Sequence, residues 1–312
     1  MSADQVLAGK VVLITGAGRG IGAACARYVA GLGATVVIND LDAEAASLEA
    51  AQLADEGATA VAAAFDVADW TAVDVAVQSV VGRFGAVDGL VNNAAIYKMA
   101  GMLESTPELW DELIRPNVIG VAACGQRVAR QMVEQGTGSI VNITSGAQCG
   151  LDAMSIYGAT KAAVASLTYT WAIELAQSGV RVNAVSPRGA TRMSEYGADF
   201  ILRRTGTAIP PEPPASSNAP AVAYLLSDLS DGITGQVVRV DGSQISLMTH
   251  PAVSVPMADR REWDVPSVHQ LFEQSLRQRM SPPGVAGLAG PKIVGPQQDG
   301  WAVPWGTPGP TP

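Results

Sequence analysis

A tyrosine and a lysine lie four residues apart in the stretch SIYGATK, residues 155–161, where a helix is predicted to begin. This spacing places Tyr157 and Lys161 on one helix face, one turn apart. A free phenol titrates near about 10, and a neighbouring ammonium stabilises the phenolate. The pair is therefore suited to moving a proton, with Lys161 bringing the pKa of Tyr157 towards neutrality. The same pattern is also typical of an ordinary amphipathic helix, with the ring in the core and the lysine in solvent.

Histidine, the usual acid–base residue, is almost absent from this chain. His250 and His269 are the only two, and Cys25, Cys124 and Cys149 follow no metal-ligand or disulfide spacing. We therefore expect neither a histidine triad nor a zinc site, and no metal is predicted. Tyrosine becomes the candidate proton carrier by elimination.

The first 245 or so residues alternate short apolar runs with longer helical patterns. Strands are predicted at residues 10–16, 35–40, 59–67, 89–95, 138–145, 180–187 and 236–242. Helices are predicted near 20–32, 42–56, 69–84, 107–135, 157–178 and 219–228. Runs that are apolar throughout are typical of strands covered by helices on both faces. The alternation predicts an α/β fold, a single doubly wound Rossmann-type domain with a seven-stranded parallel sheet flanked by helices.

Two segments depart from this alternation. Residues 190–218 are predicted to form a long substrate loop, rich in apolar side chains that suit a lid over an apolar substrate. Arg203 and Arg204 in this loop either meet phosphate groups or lie on the wet face of a short helix. Residues 247–312 are predicted to be an irregular Pro/Gly-rich extension, disordered or docked on a surface, so the predicted domain comprises residues 1–246.

Composition narrows the possible partners. The formal net charge is −9, which repels nucleic acid phosphates and anionic membrane surfaces. The sequence has no apolar run of membrane-spanning length, and its N-terminus does not resemble a signal peptide. We expect a cytoplasmic protein that acts on a small-molecule substrate, with no nucleic acid and no membrane partner.

A glycine-rich turn, VVLITGAGRGIG, joins the first predicted strand to the first helix. Its glycines permit a tight turn and the close approach of a pyrophosphate to the free N–H groups of the helix. Asp40 ends the second strand, where a carboxylate binds ribose hydroxyls and repels a 2′-phosphate. No cation lies in the turn around Asp40, so NAD is predicted rather than NADP. Asp40 could instead be a helix N-cap, a role also open to Asp42, and Asp66 either meets the adenine or caps the next helix.

Five motifs occur in a fixed order: TGAGRGIG, NNAA at 92–95, Asn117 in RPNVIG, Ser145 in IVNITS, and YGATK at 157–161. In these the chain resembles the short-chain dehydrogenase/reductase family over about residues 8–246. The resemblance implies that Tyr157 is the general acid/base and that Lys161 also binds the nicotinamide ribose. It implies that Ser145 hydrogen-bonds the substrate oxygen. Asn117 would hold the helix geometry and a water leading to solvent, although it could equally be a buried amide bonded to backbone.

The resemblance also implies a cofactor site that extends from the glycine turn to the segment after the sixth strand. Its residues would be Gly16, Gly18, Arg19, Gly20, Ile21, Gly22, Asp40, Leu41, Asp66, Val67, Asn93, Ala94, Ala95, Tyr157, Lys161, Pro187, Gly189 and Ala190.

Two departures from the family pattern leave questions open. The separation between Ser145 and Tyr157 is one residue shorter than in many relatives, so Thr144 competes for the role of the functional hydroxyl. Many relatives carry glycine directly after the proline of the NAVSP segment, whereas this chain has Arg188. That arginine either closes over the cofactor, pairs with an acidic substrate group, or faces solvent.

The resemblance implies an NAD-dependent oxidoreductase that interconverts a secondary alcohol and a ketone. A weaker resemblance, to the subgroup that includes the dehydrogenase domain of peroxisomal multifunctional enzyme type two, favours a hydroxysteroid or 3-hydroxyacyl-CoA substrate. The alternatives are a catalytically silent nucleotide-binding scaffold or regulator, and an epimerase or dehydratase on the same fold. The resemblance further implies a homotetramer, with helices 107–135 and 157–178 between subunits.

Overall fold

Seven parallel strands form the centre of the computed structural model, which describes residues 5–251, 257–279 and 284–285. They are β1 Val11–Ile14, β2 Thr35–Ile38, β3 Ala60–Ala62, β4 Gly89–Asn92, β5 Gly138–Ile143, β6 Val180–Ser186 and β7 Val237–Asp241. Their order is β3-β2-β1-β4-β5-β6-β7. The direction of winding reverses between β1 and β4, which makes a crevice at the carboxyl ends of the strands. The predicted fold class and the seven predicted strands are confirmed.

An eighth strand, β8 Gln244–Met248, was not predicted and extends the sheet beyond β7. It pairs antiparallel with β7, and Asp241 lies opposite Gln244 across a two-residue turn. Gly242 in that turn has φ of +61°, a backbone conformation that favours glycine. The domain boundary predicted at residue 246 falls inside this strand.

Helices cover both faces of the sheet. They are α1 Gly20–Gly31, α2 Ala43–Asp55, α3 Trp70–Phe84, α4 Pro107–Ile114, α5 Val121–Gln135, α6 Ser155–Glu174, α7 Arg192–Thr205, α8 Ala219–Leu226 and α9 Val265–Gln274. Val12 and Ile14 of β1 pack with α1, α2 and α8, whereas Val11 and Leu13 pack with α3, α5 and α6. Because successive residues of a strand face opposite sides, this double cover explains why the strands are apolar throughout.

The prediction of a loop over residues 190–218 is wrong for about half of its length, because α7 occupies Arg192–Thr205. Thr191 caps this helix by accepting a hydrogen bond from Ser194 N–H, and Gly206 ends it with φ of +70°. These are ordinary start and stop signals. The sequence left two alternatives for the apolar residues of this segment, a lid surface and the packing face of a short helix, and the structure shows the helix.

Two further predictions need correction. The extension predicted to be irregular contains α9, whose N-cap is Asp264. The single helix predicted over 107–135 is interrupted by a π-helical stretch, Arg115–Gly120, which contains Pro116 and Asn117. Gly284 donates its N–H to Cys149 O, so this part of the extension returns to the turn after β5. The prediction for residues 252–256, 280–283 and 286–312 falls outside the described residues.

Within the described part of the chain, no helix is both long and apolar enough to cross a membrane.

Candidate active site

Four predicted residues come together where the sheet reverses direction. Ser145 directly follows β5, Tyr157 and Lys161 lie in the first two turns of α6, and Asn117 lies in the π-helical stretch between α4 and α5. All four therefore stand near the carboxyl ends of β4 and β5. Open α/β sheets bind their ligands in the crevice at these carboxyl ends.

The structure places Ser145, and not Thr144, beside Tyr157. The Ser145 hydroxyl lies close enough to the Tyr157 phenol to lower the pKa of that phenol, and it accepts from Ala147 N–H at 3.2 Å. Thr144 is buried and donates its hydroxyl to Val185 O at 3.2 Å, on the neighbouring strand β6. The two side chains face opposite ways because they are consecutive residues of extended backbone.

Lys161 is buried one turn after Tyr157. Its Nζ donates to Ile143 O at 2.8 Å and lies 5.7 Å from the centre of the Tyr157 ring. Burial lowers the pKa of Lys161 to about 8, because the apolar surroundings disfavour the charged amine. Near neutral pH this amine is still mostly protonated.

The pKa of Tyr157 is raised to about 12 in the chain without ligand. Burial is the main cause, and the nearby Ser145 hydroxyl partly offsets it. The expectation that Lys161 brings this phenol to titrate near neutrality is therefore wrong for the isolated chain. The amine of Lys161 lies over the ring, 5.7 Å from its centre, and the removal of the phenolate from water is what raises the pKa of Tyr157. Tyr157 consequently keeps its proton at neutral pH and is ready to donate it.

Asn117 is fully buried and joins two parts of the site. Its Oδ1 accepts from Ile96 N–H at 2.7 Å, and its Nδ2 donates to Ile96 O at 2.9 Å and to Thr160 Oγ1 at 3.2 Å. The Thr160 hydroxyl donates in turn to Tyr157 O at 2.8 Å. The asparagine thus bonds to backbone and at the same time ties the segment after β4 to the first turn of α6. π-helical turns such as the one that carries it are frequent at functional sites.

The glycine turn between β1 and α1 has the geometry that a pyrophosphate requires. Gly16 and Gly20 have φ of +61° and +60°. A Cβ on Gly22 would lie 2.4 Å from Gly16 O, so the turn is too tight for any side chain there. The first turn of α1 carries no acidic residue, and its N-cap Arg19 makes no side-chain cap. The N–H groups at the start of α1 are therefore open to an anion, and a dinucleotide fits this cradle.

Asp40 faces the glycine turn and is not a helix cap. Its Oδ2 accepts from Gly18 N–H at 3.0 Å, and its Oδ1 accepts from Asp42 N–H at 3.1 Å. Asp42 caps α2 by accepting from Ala45 N–H. A cation is nevertheless present at this end of the crevice, since Arg19 Nη2 pairs with Asp42 at 2.5 Å. Sequence reasoning included Arg19 among the cofactor-binding residues but did not place it beside the turn of Asp40, because Arg19 belongs to the glycine turn.

The other residues predicted at the adenosine side differ in their exposure and in their hydrogen bonds. Asp66 accepts from Ala68 N–H at 2.9 Å, while Asp69 caps α3, so Asp66 is not the cap of that helix. Leu41 is exposed and Val67 is buried.

Polar residues behind the glycine turn hold it in place. Asn93 Nδ2 donates to both Thr15 O and Gly16 O at 2.9 Å, and Ala94 packs against Gly16. Thr15 Oγ1 accepts from Asn93 N–H and Ala94 N–H, a role that sequence reasoning missed. Asn39, also missed, donates to Ala63 O and Phe65 O, and its buried Oδ1 has no hydrogen-bond partner within the described residues.

The segment Pro187–Ala190 follows β6 and passes close to α1. A Cβ on Gly189 would lie 3.0 Å from Ala215 Cα and 3.5 Å from Ile21 Cγ1. Arg188 does not simply face solvent, because its guanidinium pairs with Glu212 at 2.9 Å and with Asp241 at 3.0 Å.

An aromatic wall, Tyr97 and Tyr196, stands beside the catalytic candidates. The ring of Tyr97 packs edge-on against Tyr157 with centres 4.8 Å apart, and Tyr196 of α7 packs edge-on against Tyr97 at 6.0 Å. A Cβ on Gly197 would lie 2.9 Å from Tyr97 Oη, so α7 rests on this ring. Burial raises the pKa of Tyr97. Sequence reasoning missed this tyrosine, whose signal is its position two residues after the NNAA motif.

The far end of α7 is tied to the opposite side of the crevice. Arg204 pairs with Glu104 at 3.1 Å and with Asp152 at 3.9 Å. Of the two roles considered for the arginines, the structure favours the polar face of a helix.

Comparison with known proteins gives consistent relatives. Residues 10–197 match the family model described as short chain dehydrogenase. The chain is 35% identical to the 5-keto-D-gluconate 5-reductase of Escherichia coli strain K12 over 247 residues, which cover 77% of this chain and 96% of the relative. It is 43% identical to the sorbitol dehydrogenase of Cereibacter sphaeroides over 252 residues, covering 76% and 97%.

A solved structure is similar throughout its length. It is a gluconate 5-dehydrogenase from Burkholderia cenocepacia J2315 in complex with NADP and tartrate, with a TM-score of 0.70 and 36% identity. The similarity covers 78% of this chain and 98% of that chain.

Proposed function

The chain belongs to the short-chain dehydrogenase family of oxidoreductases that act on CH–OH groups, and we propose that it interconverts a secondary alcohol and a ketone with NAD. The observation that carries this proposal is the placement of the Ser145 hydroxyl beside the Tyr157 phenol, with Lys161 buried one turn away. This arrangement presents two hydroxyl donors to one substrate oxygen at the ligand-binding edge of the sheet.

Each residue of the set has a separate task in ketone reduction. Ser145 donates a hydrogen bond to the substrate oxygen, and Tyr157 gives that oxygen its proton. Lys161, charged at neutral pH, stabilises the phenolate that remains, and Asn117 keeps the first turn of α6 in place. A bound nicotinamide supplies the hydride for the substrate carbon and receives it in the reverse direction. In alcohol oxidation Tyr157 takes the hydroxyl proton, so oxidation is expected to accelerate as the pH rises.

The proposed test of this chemistry is Tyr157→Phe. Turnover should fall at least about a hundredfold, the usual contribution of a general acid/base, while NAD binding measured by calorimetry changes little. Activity retained in Tyr157→Phe would refute the assignment. A wild-type chain that binds NAD but turns over no alcohol or ketone would instead support the alternative of a nucleotide-binding scaffold, and an epimerase or dehydratase would convert substrate without net change in NADH.

The preference for NAD rests on Asp40. Its carboxylate accepts from Gly18 N–H and Asp42 N–H, so it is held beside the glycine turn, where a 2′-phosphate would meet its charge. The charge of Arg19, which could attract that phosphate, is paired with Asp42. We expect higher initial rates with NAD than with NADP, and a shift of about tenfold or more towards NADP in Asp40→Asn. A wild-type preference for NADP, the ligand of the Burkholderia cenocepacia structure, would overturn this argument.

The substrate we propose is a mostly apolar secondary alcohol, such as a hydroxysteroid or a 3-hydroxyacyl-CoA. The support is the wall of Tyr97 and Tyr196 beside Tyr157, which offers large ring surfaces to an apolar body. A polyol or sugar acid is the second candidate, because the relatives include a sorbitol dehydrogenase and a 5-keto-D-gluconate 5-reductase. A panel of hydroxysteroids, 3-hydroxyacyl-CoA esters, polyols and aldonic acids, followed by NADH absorbance, distinguishes the two.

We also propose a cytoplasmic homotetramer. Exposed small residues on α6, among them Ala159, Ala162 and Ser166, permit close approach of a second copy. Light scattering during size-exclusion chromatography tests this, and a monomeric mass would contradict it.

A further inference from the structure

Arg188 connects three segments of the chain through its side chain. It lies between β6 and α7, whereas its partner Glu212 lies in the segment after α7 and its partner Asp241 ends β7. The Arg188 Nε donates to Glu212 at 2.9 Å, and its Nη1 donates to both Asp241 oxygens at 3.0 and 3.2 Å. The guanidinium is thus placed between two carboxylates from different parts of the chain.

These ion pairs are partly shielded from water. The side chains of Arg188, Glu212 and Asp241 are 27%, 21% and 28% exposed, so their mutual attraction is screened less than that of a fully exposed pair. Arg239 lies 3.5 Å from Asp241 but is mainly engaged with Ser186 and the Pro187 carbonyl. Without the Arg188 charge, Glu212 would have no cationic partner within the described residues.

The backbone on either side of Arg188 depends on the same neighbours. Arg188 N–H donates to Val240 O at 3.0 Å, and its carbonyl accepts from Asn218 Nδ2 at 2.7 Å. Two residues on, Ala190 N–H donates to Pro213 O at 2.7 Å, directly beside Glu212. The ion pairs of Arg188 and these backbone hydrogen bonds together connect three segments: residues 187–190, residues 212–218 and the end of β7. We call this set of contacts the frame.

The frame determines how far the segment 187–190 stands from α1. Gly189 packs tightly between Ala215 and Ile21, since a Cβ there would lie 3.0 Å from Ala215 Cα, and Thr191 lies near Gly20. Any displacement of the segment after α7 would move Gly189 relative to the start of α1, where the cofactor cradle lies.

We propose that Arg188 is a positioning residue: its ion pairs with Glu212 and Asp241 hold the segment 187–190 where it meets the nicotinamide half of the cofactor. The inference rests on the proposed function, since it takes that segment as the nicotinamide side of the crevice. It assigns a purpose to the residue that replaces the glycine found in many relatives. On the adenosine side, Asp40 bonds to Gly18 N–H and Asp42 N–H and makes no contact with the ion pairs of Arg188.

The experiment compares two ligands that differ only in the nicotinamide. NAD and ADP-ribose are titrated by calorimetry into the full-length wild type, Arg188→Met, Arg188→Lys and Glu212→Gln. We expect Arg188→Met to weaken NAD by roughly tenfold, the effect of about one lost hydrogen bond or ion pair on an equilibrium, and ADP-ribose by less than about twofold. Lysine keeps the positive charge but cannot donate to Glu212 and Asp241 in the way that the planar guanidinium does. The NAD affinity of Arg188→Lys should therefore lie between that of Arg188→Met and that of the wild type.

Arg181→Met is the matched control. Arg181 is also a half-buried arginine, but it lies at the amino end of β6, where its guanidinium donates to Leu225 O, Ser227 O and the Ser230 hydroxyl. Arg181→Met should lower the melting temperature and leave the ratio of NAD to ADP-ribose affinity unchanged.

The possible outcomes separate this inference from the function on which it rests. Equal weakening of NAD and ADP-ribose in Arg188→Met, or an unchanged ratio, would overturn the positioning role. A wild type that binds neither ligand would refute the proposed function. If Arg188→Lys has the same ratio of NAD to ADP-ribose affinity as the wild type, the charge of Arg188 matters more than the volume of its side chain.

Discussion

The buried amine of Lys161 leads to a prediction about stability. Its side chain is 2% exposed, and its one hydrogen bond within the described residues is to Ile143 O. Burial lowers its pKa from 10.5 to about 8. Below its folded pKa, the buried amine must carry its charge in the folded chain, which destabilises that chain. As the pH rises from the folded to the unfolded pKa, the folded chain has lost this proton while the unfolded chain still binds it, so the free energy of unfolding increases. The folded chain should therefore become more stable as the pH rises above about 8.

The size of this effect follows from the two pKa values. Between the two pKa values, each pH unit adds about 1.4 kcal/mol to the free energy of unfolding. The gain begins near the folded pKa, so between about pH 7 and about pH 9.5 it amounts to about 2 kcal/mol. Lys161→Met removes the titrating group and with it this gain. The variant also leaves Ile143 O without its donor, at a cost of about 1–3 kcal/mol. That cost does not depend on pH, so it does not alter the predicted change.

Urea unfolding of the cofactor-free protein measures the change. Wild type, Lys161→Met and the control Lys98→Met are compared at constant protein concentration across this pH range. Lys98 is exposed and pairs with Glu112 at 3.6 Å, so its variant should follow the wild type. We expect the unfolding free energy of wild type to gain about 2 kcal/mol relative to Lys161→Met. A difference that stays constant with pH would refute the claim that burial lowers the pKa of Lys161.

Two further predictions concern the positions of a hydroxyl and of a glycine. Ser145→Ala should lower turnover about a hundredfold, as the loss of one donor to a reacting oxygen does. Thr144→Val should cost about 1 kcal/mol of stability through its lost bond to backbone and leave turnover within a few-fold; the reverse result would assign the role to Thr144. Gly22→Ala should abolish NAD binding and lower the melting temperature, because its Cβ would lie 2.4 Å from a backbone oxygen. Gly31→Ala, in the same helix with nothing within 4 Å, should bind NAD normally, and equal loss in both variants would contradict the steric argument.

Local patterns were sufficient for much of this fold. The run VVLI is apolar throughout because β1 is covered on both faces, and this pattern alone predicted a parallel sheet with helices on either side. The spacing in YGATK is a property of a single helix, so Tyr157 and Lys161 could be paired without knowledge of any distant residue. The glycine turn was equally predictable, because a backbone that must turn tightly between strand and helix favours glycine at particular positions.

Contacts between distant segments were not predictable in the same way. Arg19 reaches Asp42 across two turns, Arg188 reaches Glu212 and Asp241, and none of these pairs is marked by a local motif. The pKa of Tyr157 was misjudged for the same reason. Whether this pKa is raised or lowered depends on how far the folded chain removes the phenol from water, which local sequence does not show.

The sequence by itself therefore determined which elements form and which side chains with acid–base character lie on them, since both follow from periodicity within a few residues. Only the tertiary structure decided between Ser145 and Thr144. Consecutive residues of extended backbone point to opposite faces, and which face meets Tyr157 depends on the docking of α6 against β5 and β6. That docking is set by the packing of buried side chains from several elements at once, which no local stretch of sequence contains.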